Sequence, residues 1–77
     1  MTTGSIEILR EGSVQRLELH QPMTVQDLLG RLAIQDTDAY WVACNRKAIL
    51  KSERAQKVLH AGDRVEILRV LSGGSQG

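Results

Sequence analysis

Phenylalanine is absent from this 77-residue chain, and Tyr40 and Trp41 are its only benzenoid aromatics. Nucleic-acid binders need stacking platforms and a basic stripe. Here two rings sit side by side, and ten basic residues nearly cancel nine acidic ones, so no nucleic-acid footprint is expected. Cys44 is the sole cysteine, which excludes an internal disulfide and suits a reducing compartment, the cytoplasm. No apolar run approaches the roughly 20 residues that span a bilayer. The N-terminus also lacks a basic segment followed by a long apolar stretch, so no secretory leader is expected. The chain must therefore fold by packing alone, and its 42% apolar content is that of a folded domain. At this length one domain is expected, burying roughly 60% of its unfolded surface. Order is expected over about residues 5–71, with a mobile tail over 72–77.

Hydrophobic periodicity sets out the elements. Ile6 and Ile8 alternate with polar residues in Ser5–Arg10, and Leu17 and Leu19 do so in Val14–Leu19, which predicts two strands. Glu11-Gly12-Ser13 between them is turn chemistry, so the pair reads as a hairpin. Thr24 stands at an N-cap position with Asp27 three residues on, a shortened capping box, and Met23 is placed to staple onto Leu28. Val25, Leu28, Leu29 and Leu32 then form one apolar stripe, predicting a helix from about Val25 to about Ile34. Gly30 inside it costs about 1 kcal/mol against alanine and is expected to let the helix sit close on the sheet. Gln35–Asp38 is a polar stop.

Tyr40–Asn45 predicts a third strand, Ala48–Leu50 a short return, and Ser52–Lys57 one short helical turn. Gly62-Asp63 is a turn, and Arg64–Leu71 is the most apolar strand, as a central strand should be. The order is strand, strand, helix, strand, short strand, final strand. The expected class is α+β with the β-grasp, or ubiquitin-like, arrangement: a mixed sheet of four to five strands and one main helix on one face.

No Ser-His-Asp set, paired-carboxylate signature or phosphate-cradling glycine loop is present. The reading is a protein without catalytic residues of its own. His20 and His60 are isolated, so no metal site is expected. Cys44 alternates with Val42 and reads as a small buried hydrophobe rather than a sulfur relay. Asn45 and Asp63 each read as shaping their own turn. Arg46, Lys47, Lys51, Arg54 and Lys57 read as a solvated basic surface, which can also steer an acidic partner. In the last strand, Val65 and Ile67 facing the helix leaves Leu68 and Val70 on the open face, where Trp41 joins them if Val42 and Cys44 point inward. That is a candidate docking patch.

The run Val42-Ala43-Cys44-Asn45-Arg46-Lys47-Ala48-Ile49, the Gly62-Asp63 turn, the apolar strand after it and the closing Val70-Leu71-Ser72-Gly73-Gly74 together resemble the ThiS sulfur carriers of thiamin biosynthesis. The helix opening Met23–Leu29 is similar too, and the resemblance covers about residues 5–74. The ordered set also fits the related MoaD carriers of molybdopterin synthesis. The resemblance implies that the Gly74 carboxylate is adenylated with ATP by a ThiF-like enzyme and converted to a thiocarboxylate. The sulfur then passes to a ThiG-like thiazole synthase or, on the MoaD alternative, to the large subunit of molybdopterin synthase. No tightly bound cofactor is implied, only the transient acyl-adenylate and thiocarboxylate, and the free protein is expected to be a monomer. Ser72 and Gly73 would thread a narrow channel, where side chains would block the way and glycine reaches angles closed to other residues.

Ser75-Gln76-Gly77 follows Gly74, so its carboxylate is held in a peptide bond. A processing protease removes these residues, or they are an artificial extension, or the carrier role is lost. In the last case the chain is a non-covalent ubiquitin-like interaction module.

Overall fold

The computed structural model describes residues 4–34 and 40–70. The first strand, β1 (Gly4–Arg10), and the second, β2 (Ser13–Leu19), form an antiparallel hairpin closed by the pair Arg10 and Ser13. Glu11 and Gly12 both take positive φ, 49° and 82°. A two-residue turn of that hand matches the twist of the flanking strands. Alternation places Ile6 and Ile8 in the core and Glu7 and Leu9 on the opposite face.

A two-residue strand, β3 (Met23–Thr24), leads into the helix α1 (Val25–Arg31). The Thr24 hydroxyl accepts from Asp27 N at 3.1 Å, and the Asp27 carboxylate accepts from Thr24 N at 3.1 Å. The shorter aspartate thus closes a full capping box. The Val25 and Gln26 amides, which lack partners within the helix, donate to the carbonyls of Lys57 and Arg54, each at 2.9 Å. The helix ends three residues earlier than its apolar stripe predicts. Ala33 turns to φ 61°, its amide reaches Gly30 O at 3.1 Å, and Ile34 N reaches Leu29 O at 2.9 Å. This is a Schellman motif, with Leu29 and Ile34 both buried across it.

Gly30 does not serve close packing as expected. It is exposed, and a Cβ there would meet nothing within 4 Å. Glycine therefore weakens the helix with no packing return, while alanine occupies the left-handed position that suits glycine. Gly30→Ala is expected to raise stability by about 1 kcal/mol. Urea unfolding should show a higher midpoint at unchanged slope.

Beyond the helix, β4 (Tyr40–Cys44) pairs antiparallel with β5 (Lys47–Ala48), and a 3-10 turn (Lys51–Glu53) follows. A second two-residue strand, β6 (Val58–Leu59), pairs with β3. The final strand, β7 (Arg64–Arg69), lies between β1, to which it is parallel, and β4, to which it is antiparallel. The main sheet runs β2-β1-β7-β4-β5, with β3-β6 as a separate small ladder. The expected α+β arrangement of a mixed sheet and one helix is present, with five strands in the main sheet. The β3-β6 ladder is an addition to the expected order, and the short return is Lys47–Ala48 rather than Ala48–Leu50.

The core lies between the helix and one sheet face. Val25, Leu28 and Leu29 meet Ile6, Ile8, Val42, Cys44, Val65 and Ile67 there. Gly4 sits against Ala61, where a side chain would collide with the Ala61 methyl.

Candidate functional site

β7 is the arm of the candidate site. Its ladder with β4 runs to the pair Arg69 and Tyr40, so the chain leaves the sheet from the centre rather than from an edge. Val65 and Ile67 are buried against the helix, and Leu68 and Val70 are half-exposed. Trp41 faces Leu68 directly across the β4–β7 ladder and is 45% exposed. The three docking candidates Trp41, Leu68 and Val70 thus cluster at the end of the sheet from which the tail departs. Ser72, Gly73 and Gly74, the tail candidates, lie outside the described residues, as does Leu71.

The rest of that open face is mixed: Leu9 and Val14 pair across β1 and β2, and charged residues lie beside them. Glu7 stands in register with Arg16 on β2 and Arg64 on β7, at 3.8 and 3.9 Å. Such exposed pairs contribute little stability. Arg69 is exposed, with its charge in water.

At the opposite end of the β4–β7 ladder from the patch, Asn45 and Asp63 do more than shape their own turns. The Asn45 amide donates to Asp63 Oδ1 at 3.0 Å, and its carbonyl oxygen accepts from Arg64 N at 3.0 Å. Asp63 Oδ2 accepts from His60 N at 2.7 Å. One side chain therefore ties the β4–β5 turn to the turn before β7. Asn45 also holds φ 53°, a left-handed conformation that asparagine tolerates better than most residues.

Burial alone would raise the Asp63 pKa. The hydrogen bonds from His60 N and Asn45, with the nearby charges of His60 and Lys57, outweigh it and hold the group below its ordinary 3.8. A carboxylate depressed on folding stabilises the fold above its unfolded pKa, and that contribution fades as pH falls through the folded value. Urea midpoints measured downward from pH 5 should therefore begin to fall near 3.8. Asp63→Asn should remove this part of the acid sensitivity.

Cys44 is buried, and that burial raises its thiol pKa. The Asp63 charge adds to the effect and Lys57 opposes it. A reactive thiolate is disfavoured there. Among the described residues no three metal-binding side chains come together, and no helix is long and apolar enough to cross a membrane.

The expectation for Arg54 is also overturned. Arg54 is not part of a solvated basic surface: it is 5% exposed, with Nη2 donating to Tyr40 O at 3.3 Å. It stands at the end of the 3-10 turn, where its own carbonyl caps the helix, so the backbone carries the side chain inward. The only signal in the sequence was its place in a short helical turn, and that does not fix a direction. Arg54 lines a groove of about 350 Å³ with Tyr40, Trp41, Leu50, Lys51 and Val70 among the other residues of its wall.

The family model described as the ThiS family matches residues 6–74. Among solved structures, the chain is similar to the crystal structure of thiamine biosynthesis protein ThiS from Geobacter metallireducens. Identity is 20%, with 88% of this chain and 99% of that one covered, at a TM-score of 0.67. The NMR solution structure of a thiamine biosynthesis protein from the same organism gives 20% identity, 90% and 88% coverage, and a TM-score of 0.67. At that identity the likeness speaks for the fold. No curated protein matches the sequence.

Proposed function

The chain belongs to the ThiS family, and on that footing we propose that it is a sulfur carrier whose working atom is the carboxyl carbon of Gly74. The observation that carries the reading is the continuity of the family match through residue 74, beyond a central strand that ends at Arg69. Once the Gly74–Ser75 peptide bond is hydrolysed, the Gly74 carboxylate attacks the α-phosphorus of ATP on a ThiF-like adenylating enzyme, and pyrophosphate leaves. A persulfide sulfur then attacks the carbonyl carbon and AMP leaves. A thiol cleaves the resulting S–S bond, giving the thiocarboxylate and a disulfide.

The thiocarboxylate is the cargo, and a ThiG-like thiazole synthase is its acceptor. Trp41, Leu68 and Val70 form the apolar ground on which partners seat while the tail is threaded. Ser72 and Gly73 keep that tail narrow, and ordering it on docking carries an entropic cost that favours release. The carrier supplies the reacting carboxylate and the partners supply the catalysis, in the cytoplasm.

The test is the intact mass of protein ending at Gly74 after incubation with the cognate adenylase, ATP and a persulfide donor. One oxygen should be exchanged for sulfur. A folded protein that shows no exchange with its cognate adenylase would overturn the reading.

A further inference from the structure

A buried guanidinium with an open donor is costly. It keeps its charge and its five N–H groups wherever it is placed, and a buried charge without a partner destabilises by several kcal/mol. Arg54 has one hydrogen bond from Nη2, to Tyr40 O, while its buried Nε has no partner among the described residues. Among the described residues no carboxylate lines the groove that Arg54 shares with Val70, and Lys51 adds a second cation to the wall. The remaining wall is largely apolar, including half-exposed Trp41 and Val70 and the more exposed Leu50. The surface is thus an apolar slot with cations on one side, at the point where the chain leaves the sheet.

We propose that this groove takes a large apolar side chain with an adjoining carboxylate, presented by the adenylating partner, and that Arg54 is the residue that binds the carboxylate. This rests on the sulfur-carrier reading for its choice of partner. Charge complementarity fixes the chemistry: an acidic side chain satisfies the guanidinium, and the apolar neighbour fills the slot beside Trp41. Arginine suits the task because its planar fork matches a carboxylate in two parallel hydrogen bonds. The guanidinium turns to meet the incoming group, so Nε–H gains a partner only in the complex. The contact reads the base of the tail, whereas Leu68 lies on the open sheet face.

The experiment has two arms. In the first, affinity for the cognate adenylase is measured for Gly74-ended wild type, Arg54→Lys and Arg54→Leu. Arg54→Leu should bind at least about tenfold more weakly while unfolding at the same urea midpoint or a higher one, because it removes a buried charge. Arg54→Lys should recover part of the loss. Equal affinity for all three would overturn the proposal.

The second arm needs no adenylase. Phenylacetate at millimolar concentration is titrated into the ¹⁵N-labelled chain, with phenylacetamide as the uncharged control. The Arg54 Nε–H and Trp41 indole N–H signals should move with phenylacetate, and the Trp41 response should be lost in Arg54→Leu. An equal response to phenylacetamide, or one that persists in Arg54→Leu, would overturn the groove chemistry. So would a shift of the Arg54 Nε–H signal in the free chain on changing Asp36 or Asp38 to Asn, since Arg54 would then already have its carboxylate. If wild type fails in the first arm but responds in the second, the sulfur-carrier reading and the assigned partner fall. The carboxylate chemistry of the groove is decided by the second arm alone.

Discussion

The full 77-residue chain should stay unreacted under conditions where protein ending at Gly74 is expected to be adenylated. Attack on the α-phosphorus needs a free carboxylate oxygen, and in the longer chain the Gly74 carbonyl is an amide to Ser75. The carboxylate available there belongs to Gly77, behind the Gln76 side chain. A partner channel fitted to two glycines, as the carrier reading proposes, would offer Gln76 no room. The difference is therefore one of kind rather than degree, and ATP–pyrophosphate exchange with an intact-mass readout measures it. Gly73→Val in the Gly74-ended protein should behave like the untrimmed chain, and its urea midpoint should stay at the wild-type value. If the untrimmed chain reacts equally well, the working carboxylate is on Gly77. If both folded forms are inert with the cognate enzyme, the non-covalent interaction module becomes the better account.

Ile67→Ala has the largest expected effect on the fold. Ile67 has no exposed surface and stands in the strand that both β1 and β4 pair with. Truncating a buried isoleucine costs about 2–5 kcal/mol, the larger values where the cavity cannot collapse. The neighbours of Ile67 are strands held by hydrogen bonds on both sides, so little collapse is expected. A domain of this length is stable by on the order of 4–11 kcal/mol in total, and the variant should have a large unfolded fraction. Urea unfolding should show a much lower midpoint at constant slope. Leu68→Ala, one residue along and half-exposed, should hardly move that midpoint while weakening adenylase binding. Adjacent positions of one strand would thus separate the two roles proposed for β7: one face holds the sheet to the helix and the other is the proposed partner surface.

Much of this architecture is legible in the sequence because alternation and helical spacing are local signals. Ile6 and Ile8, or Val65 and Ile67, declare a strand and its buried face within a few residues. Thr24 and Asp27 declare a cap. The features that escape are those made by residues far apart. The β3-β6 ladder has two residues on each side and no periodicity of its own, since backbone pairing alone builds it. The helix stop at Ala33 is disguised because the glycine that would mark it stands at Gly30 instead. Asn45 and Asp63 look like two independent turn residues, and only the fold brings them within a hydrogen bond. Arg54 escapes for the same reason: charge predicts exposure, but its backbone is committed to capping the helix, and the side chain follows. At the candidate site the exposed cluster of Trp41, Leu68 and Val70 is visible from strand phase. The groove beside it is not, because its walls come from four separate stretches of chain.

The parallel pairing of β1 with β7 has a consequence for how the chain comes to be folded. The first described strand waits for the last one, and β4 waits for it too, since neither has its central neighbour until Arg64–Arg69 is in place. Contacts of such long sequence separation form late and slowly. A chain cut short before β7 has no sheet to complete. The strand that closes the fold is also the one that extends into the tail, so a misfolded or incomplete copy has no ordered platform from which to offer its terminus.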